Sequence, residues 1–308
     1  MIDQIVKDIQ ELKIQGAENV AKAAVNAISE ILETSIFDQK KIYQDLIIAR
    51  DKLEKTRPTE PCLRNTLTLL FYDVNETNVK DAMRKNILKA DEHFKTTKSI
   101  ISEFGSRKIK DGMVVFTHCH SSAVMDILKE AKRKKINFSL KNTETRPLFQ
   151  GRLTATEMIN EGIPVEHFID SAGRLAVKKS DIMMIGADAI TSEGYVINKI
   201  GSELFAETAH NREVPVYICT DSWKFDINTV FAYDEVIEKR HEEEIWKDKP
   251  KGVKISNYAF ESISPELITG IISELGVYNP HTFILEMERN YPWLFHTKRK
   301  KILPLKNL

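Results

Sequence analysis

Cysteine is scarce, with three residues in 308, and Cys62, Cys119 and Cys219 share no C-x-x-C spacing. That excludes a disulfide framework and offers no zinc-binding pattern, so each thiol has to be judged singly. Charge of either sign is not in excess: Lys+Arg and Asp+Glu both count 45. A chain without a net field does not draw in nucleic acid or an anionic membrane over a Debye length, so any affinity for phosphate must be local. No apolar run approaches the ~18 residues of a membrane span, and the N-terminus lacks the basic, apolar and small-residue order of a signal peptide. Repeats and low-complexity tracts are missing too. The expectation is a soluble, cytoplasmic protein with neither a membrane nor a nucleic acid as partner.

What is present is a change of period. Apolar residues recur at helical spacing from Gln4 to Leu32 (Ile5, Ile9, Leu12, then Val20, Ala24, Ile28 and Leu32), with a break at Gln15-Gly16-Ala17. Phe37–Leu53 and Val79–Phe104 continue the helical pattern, and Thr56-Arg57-Pro58-Thr59 reads as a turn. After Gly105-Ser106 short apolar runs take over: Met113–Phe116, Phe138–Leu140, Val165–Ile169, Ile182–Ile185 and Val214–Cys219. Most are separated by helix-length segments, which predicts right-handed crossovers and a parallel sheet. The length exceeds that of one core, so the reading is an α/β chain with a helical domain over 1–105 and a parallel-sheet domain over 106–308. Glu242-Glu243-Glu244 and Lys298-Arg299-Lys300-Lys301 read as solvated charge. Ile255–Phe295, carrying Phe260, Ile263, Leu267, Ile271, Leu275, Phe283, Trp293 and Phe295, is expected to help form a subunit interface.

In a parallel α/β sheet ligands bind beyond the carboxyl ends of the strands, and the residues there are polar in this chain. Thr117-His118-Cys119-His120-Ser121-Ser122 follows the first run and leads into a helix. Ser121 or Ser122 can cap that helix, whose free N–H groups and positive dipole end suit a phosphate and favour a Cys119 thiolate. The plainer reading of Cys119 is a small core residue. His118 and His120 do not converge on a metal, since neighbouring positions on one strand end point apart. After the second run, Arg146 in Arg146-Pro147 can grip a phosphate, with Gln150 close behind, or simply be solvated. The fourth run ends in Gly186-Ala187-Asp188, whose small apolar surroundings favour the protonated carboxyl of a general acid; a turn aspartate is the alternative. Asn198, Lys199 and Lys224 bring an amide and two ammonium groups to later strand ends.

Thr117–Ser121, Thr145-Arg146-Pro147 with Gln150-Gly151, Asp170-Ser171-Ala172, Gly186-Ala187-Asp188 and Ile197–Gly201 cover, in order and spacing, most of residues 112–225. Together they resemble a family of methylthioribose-phosphate isomerases, archaeal ribose 1,5-bisphosphate isomerases, and α, β and δ subunits of the translation-initiation exchange factor two B. Gln15-Gly16-Ala17 and Thr56-Arg57-Pro58 extend the likeness more loosely. The resemblance implies a Rossmann-like second domain, an assembly of like subunits (a dimer or a trimer of dimers), no cofactor, no metal and a role in AMP metabolism. It implies that Cys119 takes a proton and Asp188 gives one. Positions matching Gln15, Gly16, Ala17, Arg57, Ser121, Ser122, Asn198, Lys199 and Lys224 contact substrate in those isomerases, and Arg146 and Gln150 join them here. The enzymes have Arg-Gly-Ala where this chain has Gln15-Gly16-Ala17, so one phosphate loses a cationic partner.

The Cys and Asp pair sides with the enzymes, since the exchange-factor subunits lack it. Lys224 suits a second phosphate, so ribose 1,5-bisphosphate is the expected substrate, ribulose 1,5-bisphosphate the product, and a nucleotide a possible activator. Three alternatives stand: a regulatory subunit that binds a nucleotide or sugar phosphate beside an initiation factor without turnover, a methylthioribose-1-phosphate isomerase, and a purely structural oligomer, against which the polar residues at four strand ends argue.

Overall fold

The computed structural model describes residues 2–11, 13–57, 59–231, 237 and 239–295. Leu12, Pro58 and the run Lys298-Arg299-Lys300-Lys301 lie outside the described residues. The chain forms two compact units: Met1–Pro58, Cys62–Asp91 and Met287–Leu308 make one, Thr59–Pro61 and Glu92–Glu286 the other.

The first unit is helical. Helix α1 spans Ile2–Gln10, α2 Ala17–Thr34 and α3 Gln39–Glu54. Val20, Ala24, Ile28 and Leu32, four apart, form the buried face of α2, and Ile42, Leu46, Ala49 and Leu53 that of α3. The break between α1 and α2 needs its glycine, because Gly16 sits at the N-cap with φ 83°, in the left-handed region. Asp38 caps α3 by accepting the Lys41 N–H at 2.9 Å. Helix α4, Pro61–Leu70, had no announcing period; its proline stands at the first helical position, where a missing N–H costs nothing. Helix α5 spans Val79–Ser106, so the change of period at Gly105-Ser106 is the end of this helix, whereas the units divide within it, at Asp91 and Glu92.

The second unit continues with β1 (Val114–Thr117), α6 (Ser122–Arg133), β2 (Ser139–Thr143), α7 (Gln150–Asn160), β3 (Val165–Phe168), α8 (Gly173–Val177) and β4 (Ile182–Ile185). Then come β5 (Ala189–Ile190), β6 (Val196–Lys199), α9 (Ser202–His210), β7 (Val216–Cys219), β8 (Phe260–Ile263), β9 (Gly270–Ser273), β10 (Gly276–Tyr278) and α10 (Pro280–Asn290), whose last residues, with α11 (Pro292–Phe295), belong to the first unit. The expected parallel sheet is there: a seven-stranded sheet in the order β10-β9-β7-β4-β1-β2-β3. All its pairs are parallel except β9 with β10. The five anticipated apolar runs are β1, β2, β3, β4 and β7.

Centrally placed β4 is buried throughout, and Asp181 locks it to β1 by accepting the Val114 N–H at 2.7 Å. A second, antiparallel sheet, β5-β6-β8, grows beyond the end of β4. In the segment read as an interface, some residues were expected to be core, and Ile263, Ile271 and Phe283 are fully buried in the chain's own core; Phe260, Leu267, Leu275, Trp293 and Phe295 keep some exposure. No helix among the described residues is long and apolar enough to cross a membrane.

Candidate active site

Strand β1 ends at Thr117, and two residues later Cys119 adopts φ 67°, a left-handed conformation uncommon outside glycine. Hydrogen bonds hold it there. The Cys119 N–H donates to Thr145 Oγ1 at 3.0 Å, and its carbonyl accepts from Thr154 Oγ1 at 2.8 Å. His118 is buried below, its Nε2 donating to the Ile200 carbonyl at 2.9 Å and its Nδ1 meeting Thr143 Oγ1 at 2.5 Å. Burial depresses the His118 pKa to about 4, so the ring is neutral near pH 7 and serves as a brace. His120 bonds Thr154 Oγ1 through Nδ1 at 3.1 Å.

Helix α6 begins at Ser122, with Ser121 at its N-cap. The Ser121 side chain makes no capping bond; it packs on Gly186, where a Cβ would lie 2.6 Å from Ser121 Oγ. Only glycine lets the ends of β1 and β4 approach so closely, and the Ser121 hydroxyl is kept away from the helix N–H groups. Ser122 is exposed.

Past Gly186 the backbone N–H of Asp188 donates to the Ile197 carbonyl at 2.8 Å, tying the aspartate to β6. Strand β6 carries Asn198, whose amide donates to Ser202 Oγ at 3.0 Å, and Lys199, whose ammonium stands 4.4 Å from the Phe260 ring centroid. Lys224 Nζ donates to the Ala187 carbonyl at 2.6 Å, immediately before Asp188.

The Cys119 thiol lies within the fields of Lys199, Asp188 and Asp170. Burial pushes its pKa up to about 11, against the lowering by Lys199 and the His120 N–H. The thiol is thus raised where a lowering was expected: loss of water outweighs the Lys199 charge and the His120 N–H.

Arg146 lies in the loop after β2. It is exposed, its guanidinium 5.3 Å from the Phe149 ring centroid and donating to the Ile245 carbonyl at 3.3 Å. Its backbone helps hold the loop: Asp170 accepts the N–H groups of Thr145 at 2.8 Å and Arg146 at 2.7 Å, next to the cis Arg146-Pro147 peptide. Gln150 opens α7, and its buried Oε1 has no hydrogen-bond partner. Gln15, Gly16, Ala17 and Arg57 belong to the first unit, where the Gln15 carbonyl accepts from Asn19 Nδ2 at 3.0 Å.

The second unit thus gathers Cys119, Ser121, Asp188, Lys199 and Lys224 around the ends of β1, β4 and β6. Thr145, Thr154 and Asp170, which position Cys119 and its neighbouring loop, were not singled out by their chemistry. Nor was the cluster of His93, Asp221 and Glu274, whose potential ligand atoms lie within 4.8 Å of one another.

Residues 13–280 match the model of the initiation factor 2 subunit family. The chain belongs to that family. Among relatives in this family, the ribose 1,5-bisphosphate isomerase of Methanocaldococcus jannaschii is 34% identical over 300 residues, 96% of each chain. Among solved structures, translation initiation factor eIF-2B of Pyrococcus horikoshii OT3 is 28% identical with a TM-score of 0.77, covering 92% of this chain and 98% of that one. The 5-methylthioribose 1-phosphate isomerase of the same organism has a TM-score of 0.74 at 23% identity, covering 96% of this chain and 87% of that one, and shares the fold.

Proposed function

We propose that this protein converts ribose 1,5-bisphosphate to ribulose 1,5-bisphosphate. It is an enzyme, a sugar-phosphate aldose–ketose isomerase. The observation that carries the reading is the joining of Cys119 and Asp188 at adjacent strand ends, with Lys199 and Lys224 beside them, in a chain 34% identical to a ribose 1,5-bisphosphate isomerase.

The chemistry has to account for four protons. The ring oxygen gains one as its bond to carbon 1 breaks, carbon 2 loses one, carbon 1 gains one, and the carbon-2 hydroxyl loses one. A thiol that rests neutral is first a donor. Cys119 gives its proton to the departing ring oxygen, and the thiolate so formed takes the proton from carbon 2. That proton exchanges with solvent while it is on the sulfur, and the same sulfur delivers one to carbon 1. Asp188 collects the hydroxyl proton of carbon 2 and relays it to the sulfur, which restores the resting thiol and leaves a carbonyl at carbon 2. Lys199 stabilises the thiolate during its short life, since its charge is the largest one acting to ionise Cys119. Lys224 and the helix α6 N-terminus hold the phosphates. Gln150 Oε1 offers an acceptor for a sugar hydroxyl. We place Gln15, Gly16, Ala17, Arg57, Ser122 and Asn198 among the substrate contacts on the strength of the family pattern. Assembly with copies of the same chain, activation by a nucleotide and a cytoplasmic location complete the proposal.

The likeness to translation initiation factor eIF-2B, 28% identical, favours a second reading, a regulatory subunit that binds without turnover. Purified protein incubated with ribose 1,5-bisphosphate and followed by phosphorus and carbon NMR separates the two. Ribulose 1,5-bisphosphate appears if the enzyme reading holds. Tight binding without product selects the regulatory one, and turnover of 5-methylthioribose 1-phosphate alone would move the substrate assignment.

A further inference from the structure

Lys224 stands on a short 3-10 turn, Ser222–Lys224, that follows β7. A turn of this length does not hold its own shape, yet this one is fixed from three sides. Asp221 Oδ1 accepts the Trp223 N–H at 2.8 Å and meets His93 Nε2, from helix α5, at 2.9 Å. The Trp223 indole lies flat on the His93 ring, centroids 3.7 Å apart and planes 5° apart, while Phe94 meets Trp223 edge-on at 5.4 Å. From the end of β9, Glu274 accepts the Ser222 N–H at 3.1 Å and a short hydrogen bond from the Ser222 hydroxyl.

The charges in this cluster are unequal. Burial alone would raise the Asp221 carboxyl, but His93, by charge and hydrogen bond, the Trp223 N–H and the Lys224 charge hold it below the usual carboxylate range. Glu274 goes the other way, raised by burial and by the Asp221 charge. Asp221 is therefore held ionised, and an ionised carboxylate only accepts, so His93 Nε2 carries the shared proton. A buried carboxylate three residues from Lys224 is a natural competitor for its ammonium. Lys224 instead reaches the Ala187 carbonyl, next to Asp188.

We infer that His93, by engaging Asp221, is the positioning residue that keeps Lys224 turned toward the Ala187-Asp188 strand end and open to an anionic ligand. His93 does not touch the reacting atoms. Without its hydrogen bond the Asp221 charge is left short of a partner and draws the ammonium to itself. A metal is the other use of three such side chains, but the carboxylate oxygens already accept N–H and O–H groups of Ser222 and Trp223.

The test uses two variants. His93→Phe keeps an aromatic ring on Trp223 and loses the hydrogen bond; His93→Gln keeps an N–H donor and loses the ring. Lysine acylation by a limiting amine reagent, read by peptide mass spectrometry, reports where the Lys224 ammonium sits whether or not the protein turns over any sugar. The Lys224 acylation rate is expected to change at least fivefold in His93→Phe and less than twofold in His93→Gln, with both variants folded by circular dichroism. The kinetic arm rests on the proposed activity: KM for ribose 1,5-bisphosphate rises about tenfold in His93→Phe with kcat within threefold, and His93→Gln restores KM. Wild-type protein without isomerase activity refutes the function and leaves the acylation arm to decide the positioning role. Equal acylation in wild type and His93→Phe overturns the inference alone. So does a divalent ion that copurifies in stoichiometric amount and is lost from His93→Phe, which would make the cluster a metal centre.

Discussion

The thiol of Cys119 should titrate far above an ordinary cysteine, and the size of the effect follows from its surroundings. Burial raises it from 9.0 to about 11, with Lys199 as the main opposing charge. At pH 8 a thiol of pKa about 11 is roughly 0.1% thiolate, whereas one at ~8.5 is roughly 24%, a difference of about 240-fold in reactive form. Alkylation by iodoacetamide, quantified on the Cys119 peptide between pH 7 and 11.5, reads this directly. The midpoint matters rather than the absolute rate, since partial burial slows the reagent at every pH. Cys219, which burial pushes up further still, is the internal control and should stay unmodified. Lys199→Met removes the leading stabiliser of the thiolate and should move the Cys119 midpoint higher.

The same shift has a consequence for stability. Because the folded pKa lies above the unfolded one, the contribution is complete below pH ~8.5 and is lost as the pH rises through the folded value. A rise of that size corresponds to roughly 3 kcal/mol. Wild type should lose about that much unfolding free energy between pH 9 and 11 in excess of Cys119→Ser, measured in urea. A midpoint at or below pH 8.5 with no excess loss would refute the reasoning and reinstate the helix end and Lys199 as the stronger influence.

The architecture was legible where burial leaves a simple pattern. Strands β1, β2, β4 and β7 lie inside a parallel sheet and read as apolar runs, and the helices show their buried stripes at four-residue spacing. Helix α4 was invisible for the opposite reason. All ten of its residues are buried, Arg64, Asn65, Thr66 and Thr68 as well as the leucines, so no stripe distinguishes an inner from an outer face. The second sheet escaped because β5 has two residues and β6 ends in Asn198-Lys199, which read as ligands rather than as a strand.

The rule that ligands bind at strand ends of a parallel sheet singled out Cys119, Asp188 and Lys224 as candidates, and the fold brings them to neighbouring strand ends. It could not reveal their electrical state. The elevated thiol comes from burial in a place held by Thr145 and Thr154, residues distant in the chain, which no local motif encodes. His93 stands 128 residues before Asp221, and only the fold brings the pair together. Arg146 read as a phosphate ligand or a solvated side chain, and nothing in the sequence signalled that its backbone N–H meets Asp170.

Gly186→Ala would place a methyl 2.6 Å from Ser121 Oγ, forcing the Cys119 loop outward; turnover should fall at least tenfold while the thermal midpoint moves by only a few degrees. Unchanged kcat in this variant would show that the approach of β1 and β4 is not needed. Lys224→Ala should weaken a sugar bisphosphate by roughly 1.5 to 3 kcal/mol, the range for a charge-assisted hydrogen bond, and a monophosphate held at the other end much less. Calorimetry that shows equal weakening for both ligands would remove Lys224 from the second phosphate.

Cys119→Ser and Asp188→Asn test the proton path itself. A serine hydroxyl cannot become the base that carbon 2 requires, and an asparagine cannot relay a proton, so each should cut kcat by at least the ~100-fold of general acid–base catalysis while the substrate still binds. Heavy water separates this path from a hydride shift: proton transfer through Cys119 exchanges with solvent and leaves deuterium at carbon 1 of the product, whereas a hydride carries the substrate's own hydrogen across. Retained turnover in Cys119→Ser, together with a deuterium-free carbon 1, would take the sulfur out of the reaction.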